Sequence, residues 1–364
     1  FGGAMVEPEL VVSCGRASSK LQERRMKICI YGAGAIGGYF GTRLALTGYE
    51  PSLIARGAHL KAMRDHGLKL ISGNDEHVVR VRCSDDPGEL GRQDVVILTC
   101  KAHTMAEAAE SMAPLLDDDT AVVTTQNGLP WWYFEGVPGP HEGRGLSSID
   151  PGGRIRAVIE TRRVIGGVVA AGCKIAEPGV IHHGAAGTIV IGELEGIESN
   201  TCRALKNILV SSGIKASITS EIRGEIWAKV WGNASFSSIA VLTGSTVGGL
   251  ASDPTLVPLA WTIMEEARAV GEAFGATFPV SIAQRLEYSR NMGEHKTSLL
   301  QDLEAGRQME VDAVVGSVLE AARMAGVATP RTDEIYALVR RCAIEAGCYP
   351  DNPAFAGFLA EHAT

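Results

Sequence analysis

The stretch "KICIYGAGAIGGYFGTRLALTG", residues 27 to 48, restricts what this chain can fold into more than any other. A short apolar run, Lys27 to Tyr31, leads straight into Gly32-Ala33-Gly34-Ala35-Ile36-Gly37, and a helical segment follows as far as Gly48. A strand, a G-x-G-x-x-G turn and a helix in that order open a dinucleotide-binding unit. The first glycine permits the tight turn, the second lets backbone approach a pyrophosphate, and the third lets the helix pack on the strand, with the phosphates at the helix N-terminus. Gly32, Ala33, Gly34, Ala35, Ile36 and Gly37 are therefore expected to cradle a cofactor.

A second strand, "PSLIAR", ends where NAD-type sites carry a carboxylate for the ribose 2′-hydroxyl. Here Ala55 and Arg56 stand instead, and a guanidinium suits a 2′-phosphate, so the expected cofactor is NADP(H) (NADPH/NADP). "DVVILTCKAHT" is a continuous apolar run of the kind found in strands buried on both faces, with Lys101 just past its end. "TAVVTTQNGLP" repeats the arrangement with Asn127. Ligands of open parallel sheets lie beyond the strand C-termini, so these two polar residues point at one crevice. Taken alone, Asn127-Gly128 is also a common turn dipeptide.

The segment 163 to 193 alternates as antiparallel strands broken at Pro178-Gly179 and at Gly184 to Gly187, extending the sheet. His182 and His183 have no metal-like partner there and read as structural. A helix near 199–212 and a strand near 214–218 close the first domain, and helices are expected near 221–242, 254–275, 279–290, 310–325 and 331–346. The expected organisation is an extension (1–25), a Rossmann-type domain (26–219), an all-helical domain (220–346) and a tail (347–364).

The first of those helices contains "EIWAKVWGNASFSS", residues 225 to 238. Lys229, Asn233 and Ser237 fall four apart and make one polar stripe on a helix that is otherwise almost wholly apolar, hence buried. Glu225, one turn before Lys229, offers a simple salt bridge. The other reading is a lysine facing a wet cleft, because a buried ammonium costs several kcal/mol unless it is paired.

Composition narrows the partners. With 364 residues, 45% hydrophobic and 21% charged, the chain has the make-up of a soluble globular protein of two domains. A net charge of -8 without a basic block argues against nucleic acid and anionic membranes and for small-molecule ligands. Cysteines at 14, 29, 83, 100, 173, 202, 342 and 348 form no CxxC pair or metal-ligand cluster, which fits a reduced, cytoplasmic setting without a metal site. No apolar run reaches the roughly 18 residues of a membrane span.

From about Met26 to Ala346 the chain resembles the ketopantoate (2-dehydropantoate) reductases. The resemblance is carried by "YGAGAIGGYF", "LIARGAHLKAMRDHGL", "VILTCKAH", "QNGLPWWYF", "IRGEIWAKVWGNASF" and "HKTSLLQDLEAGRQMEVDAVVG". It implies an α/β fold, with an N-terminal Rossmann-type domain followed by a helical domain like the C-terminal one of 6-phosphogluconate dehydrogenase. It also implies NADPH-dependent reduction of 2-dehydropantoate to (R)-pantoate in pantothenate synthesis. By the family pattern Lys229 is the general acid, Asn233 holds the substrate and Ser298 its carboxylate. Glu310 binds the cofactor across the cleft, while Lys101 and Asn127 lie at the nicotinamide side, Asn127 touching both ligands. Ser237 stands where many relatives have a second Asn, which keeps open a different 2-keto acid or carbonyl substrate. A non-catalytic NADP(H) sensor is the reading from another class, and a homodimer is compatible with the sequence.

Overall fold

The computed structural model of the chain describes residues 25–362; the expected extension lies outside them apart from Arg25. Among the described residues ten strands make one sheet: β1 (Ile28–Tyr31), β2 (Ser52–Ile54), β3 (Leu68–Ser72), β4 (Asp75–Val79), β5 (Arg82–Ser84), β6 (Val95–Leu98), β7 (Ala121–Thr124), β8 (Val164–Glu177), β9 (Val180–Glu193) and β10 (Lys215–Ile218). Their spatial order is 4-3-9-8-7-6-1-2-5, with β10 beside β9. From β8 across to β5 all neighbours are parallel. Every residue of β1, β6 and β7 is buried, which is why these strands are unbroken apolar runs. Helices α1 (Ala35–Leu46), α2 (Gly57–His66), α3 (Met105–Ser111) and α4 (Asn200–Ser211) belong to this domain. From β1 the chain builds outward to β2 and then returns to place β6 on the other side. That reversal opens a crevice beyond the C-terminal ends of β1 and β6.

The hairpin β8–β9 departs from expectation at one of its two breaks. Pro178-Gly179 is the turn, but Gly184 to Gly187 stays inside β9. The register slips there, Ala170 facing Thr188 while Ala171 faces Ala186, and a bulge absorbs the extra residue with Ala186 at φ 60° and Gly187 at φ 116°. His183 stacks on Tyr39, and its ring nitrogens lie 2.9 Å from Ser72 Oγ and 2.9 Å from the Ala186 carbonyl, which pins the bulge.

The second domain is helical. Helix α5 (Ile222–Gly232) passes through a π-helical turn (Asn233–Ser237) into α6 (Ser238–Thr243). Then come α7 (Val247–Ser252), α8 (Val257–Ala273), α9 (Ile282–Arg290) and α10 (Ser298–Glu304). A second π-helical turn (Asp312–Gly316) leads into α11 (Ser317–Ala325), followed by α12 (Pro330–Glu345) and α13 (Pro353–Glu361). The short α7 and α10 are set by their caps more than by periodicity: the Thr246 and Thr297 hydroxyls accept from the backbone of Gly249 and Leu300.

The segment after residue 346, expected as a tail, folds back onto the helical domain. The Cys348 carbonyl accepts from Met309 N at 2.8 Å, and the buried Phe355 ring lies where a side chain on Gly316 would be. Both domains share one aromatic core in which Trp131, Trp132, Tyr133 and Phe134 meet Trp227 and Trp231. Within it Trp227 Nε1 donates to the Tyr133 hydroxyl at 2.6 Å. The crevice beside this core is therefore held between two bodies with a common interior.

Candidate active site

The glycine turn divides its work as its spacing implies. Gly32 has φ +107°, and a Cβ there would lie 2.8 Å from Cys100 N. A Cβ on Gly37 would fall 2.1 Å from the Gly32 carbonyl oxygen and 2.9 Å from Ile30, so α1 sits directly on β1. Gly34 is the opposite case, with nothing within 4 Å of where its Cβ would stand. Backbone from Gly32 and Ala33 donates to the Ile54 carbonyl at 3.2 and 2.7 Å, anchoring the turn to β2. Ala35, Ile36 and Gly37 form the first turn of α1, where N–H groups lack intrahelical acceptors, and no acidic side chain occupies that turn. Open space above free N–H donors at the positive end of a helix fits a diphosphate. Arg56 is exposed at the end of β2, as the N-cap of α2.

The crevice is closed on its other side by the helical domain. Lys101 Nζ donates to Asp302 Oδ2 at 2.5 Å and to the Gln308 carbonyl at 3.1 Å. Buried Glu310 accepts from Ala102 N at 2.8 Å and from Asn127 Nδ2 at 3.2 Å, and Asn127 Oδ1 accepts from Asn233 Nδ2 at 3.5 Å. Asn127-Gly128 is not a hairpin turn. Gly128 has φ +82°, and a Cβ on it would lie 1.7 Å from the Ala313 carbonyl oxygen, so glycine is what lets β7's loop touch the second π-turn.

Lys229 lies on α5 facing this network. It is half-buried and lines a small cleft with Gln126, Gly128, Val168 and Ile226. Burial brings its ammonium down from 10.5 to about 8, Glu310 opposing the fall and Arg285 adding to it. Glu225 does not pair with it; burial alone raises the Glu225 carboxyl. The i, i+4, i+8 stripe would drift by about 80° on a straight α-helix. The π-turn adds a residue to its turn and winds that drift back, returning Ser237 toward the side of Lys229. Ser237 is 2% exposed.

The structure thus brings Lys101, Asn127, Lys229, Asn233 and Glu310 together at the mouth of the dinucleotide turn. Ser298, exposed at the first position of α10, has no contact with that network among the described residues. Sequence reasoning gave no role to Gln126, His103 and Asp302, although each lies inside one of the quoted motifs, because what they meet is set in space: Gln126 Nε2 donates to the Leu98 carbonyl and Asp302 accepts from Lys101 Nζ. His103 adjoins Lys101, and burial chiefly lowers its imidazole. The π-turns leave no mark in the residue pattern. A wider apolar depression at the outer edge of β10, lined by Val190, Val210 and Ile214, holds none of these residues. Among the described residues no group of His, Cys, Asp and Glu could hold a metal, and no helix is long and apolar enough to cross a membrane.

Fold and site together define a two-domain dinucleotide-binding oxidoreductase with a lysine in the interdomain cleft. Residues 28–131 match the family Ketopantoate reductase PanE/ApbA, and residues 221–343 match its C-terminal counterpart. The chain is 47% identical over 325 residues to the 2-dehydropantoate 2-reductase of Mesorhizobium japonicum, spanning 89% of this chain and 100% of that one. Identity to the Pyrococcus horikoshii protein of the same name is 28%, over 86% of this chain and 97% of that one. The crystal structure of 2-dehydropantoate 2-reductase from Geobacter metallireducens superposes with a TM-score of 0.76 at 26% identity, over 87% of this chain and 99% of that one. The chain belongs to the ketopantoate reductase family.

Proposed function

We propose that the protein reduces 2-dehydropantoate to (R)-pantoate with NADPH, Lys229 acting as general acid. The observation that carries this is Lys229 itself: half-buried in the cleft, unpaired with Glu225, and brought by burial to about 8, where it is protonated at neutral pH yet gives up its proton readily. When bound, the cofactor supplies the hydride. The chain's own part is binding, orientation and proton delivery. The first turn of α1 takes the diphosphate, and Arg56 favours a 2′-phosphate over a bare ribose. Glu310, already fixed by Ala102 N and Asn127, presents a carboxylate to the cofactor across the cleft. As the ketone accepts hydride, negative charge builds on its oxygen; the Lys229 ammonium stabilises that charge and donates its proton there.

Asn127 and Asn233 are positioned to orient the substrate, and Ser298 is assigned its carboxylate on family resemblance. We place the enzyme in the cytoplasm, with a small 2-keto acid as its partner. A second reading, an NADP-dependent reductase of another 2-keto acid, is favoured by Ser237 in place of Asn. A cofactor sensor would have no use for the cleft lysine. The test is NADPH oxidation, followed at 340 nm, against a panel of 2-keto acids including ketopantoate. Turnover with ketopantoate that Lys229→Ala lowers by roughly two to four orders of magnitude, with NADPH still bound, supports the reading. No turnover on any 2-keto acid defeats it.

A further inference from the structure

Glu310 is not placed by a helix of its own. It ends the stretch 307–310, which has no regular structure and leads into the second π-helical turn, so its position depends on what holds that stretch from outside. On one side of it, Met309 N donates to the Cys348 carbonyl at 2.8 Å, and both residues are buried. On the other, the Tyr349 hydroxyl donates to the carboxyl of buried Asp312 and lies 2.9 Å from each of its oxygens. Two consecutive residues of the C-terminal segment therefore bracket Glu310.

The bracket is itself fixed. The Tyr336 hydroxyl, from α12, donates to Asp312 Oδ1 at 2.9 Å, Arg340 Cζ stands 4.8 Å from the centre of the Tyr349 ring, and Cys348 N donates to the Ala343 carbonyl at 2.8 Å. Further on, Asn352 accepts from Phe355 N at 3.2 Å, which caps α13, and its Nδ2 donates at 3.1 Å to the carbonyl of Ser147, in the loop between β7 and β8. Ser147 N and Ser148 N donate in turn to buried Glu320 of α11 at 2.7 and 2.8 Å. The segment after residue 346 thus holds the dinucleotide domain as well as the helical one. Burying a carboxyl costs desolvation, and a network that satisfies it rigidifies what it joins. What this one joins is the backbone on both sides of the residue that meets Ala102 N and Asn127 across the cleft.

We propose that Tyr349 and Asp312 are positioning residues for Glu310, and that the C-terminal segment is a clasp that sets where the Glu310 carboxylate stands toward the cofactor. The inference rests on the reading of Glu310 as a cofactor-binding residue and deepens it. It gives the last turn of the chain a part in cofactor affinity although none of its residues reaches the cleft.

The test is a double-mutant cycle read by fluorescence titration with NADPH, using the unmodified protein, Tyr349→Phe, Glu310→Ala and the double variant. Tyr349→Phe removes one hydroxyl and keeps the ring, and it should raise the Kd for NADPH roughly 3- to 30-fold. In the Glu310→Ala background the same change should cost almost nothing, because the clasp has no carboxylate left to aim. An unchanged Kd in Tyr349→Phe, or an equal loss in both backgrounds, overturns the proposal, since a merely structural tyrosine would not depend on Glu310. If Glu310→Ala leaves NADPH affinity as it was, or the unmodified protein does not bind NADPH, the cofactor reading of Glu310 fails instead. Amide hydrogen exchange without cofactor then decides the clasp alone. Exchange at Ala102, whose N–H donates to Glu310, that is about tenfold or more faster in Tyr349→Phe, with β1 and β6 unaffected, supports it. Exchange at Ala102 that is unchanged, or faster only to the extent that β1 and β6 are, refutes it.

Discussion

Lys229→Met should make the protein without ligands more stable while removing its catalysis. Lys229 is brought from 10.5 to about 8, first by burial. At roughly 1.4 kcal/mol per pH unit, holding it protonated in the fold at pH 7 costs about 3 kcal/mol. The side chain keeps partial solvent access, so that figure is a ceiling and about 1 to 3 kcal/mol is the expected gain. Methionine preserves the aliphatic length and removes only the charge. The sign follows from linkage: between about 8 and 10.5 the unfolded chain binds the proton that the folded chain has released, so stability rises with pH in that window. The penalty is full below about 8 and falls to about 1 kcal/mol by pH 10. Thermal melts of both proteins at pH 7 and pH 10 read it directly. The Lys229→Met protein should melt about 1 to 4 °C higher at pH 7, with most of the difference gone at pH 10. A variant no more stable at pH 7, or one whose gain is the same at pH 10, would refute the claim that the cleft holds a costly cation.

Other outcomes follow from single contacts. Arg56→Ala should erase most of a preference for NADPH over NADH of at least about tenfold, read by fluorescence titration; equal affinities in the unmodified protein would count against the 2′-phosphate assignment. Gly128→Ala puts a methyl group 1.7 Å from the Ala313 oxygen at φ +82°, so it should destabilise by more than about 2 kcal/mol and weaken NADPH binding, as denaturant titration and cofactor titration would show. Asp312, which accepts from the Tyr336 and Tyr349 hydroxyls at 2.9 Å, is raised by burial from 3.8 to about 6. Its contribution to stability is present when the carboxyl is protonated and is lost as pH rises from about 4 through about 6; Asp312→Asn should flatten the melting profile over that range. Ser237→Asn should shift kcat/KM toward ketopantoate and away from an analogue lacking its hydroxyl; an unchanged ratio would show that Ser237 does not select the substrate.

Local chemistry was enough to determine the cofactor half of this protein. Strand, glycine turn and helix are adjacent in the chain, and each glycine's role depends on neighbours within a few residues or on the strand next door. The same locality made Arg56, Lys101 and Asn127 readable as residues at strand ends, and Lys229 as the odd cation on an apolar helix. What only the tertiary structure decided is how these pieces meet. Glu310 reaches Asn127 across 183 residues and Lys101 reaches Asp302 across 201, separations at which no periodicity survives. The choice between a Glu225 salt bridge and a cleft-facing lysine depended on which groups pack around α5. So did the meaning of Asn127-Gly128, a turn by composition and a domain contact in space. The π-turns, the bulge at Gly184 to Gly187 and the return of Phe355 onto Gly316 belong to the same class. Each satisfies a packing demand made by a distant element. A chain read in order does not carry that demand at the position where it is met.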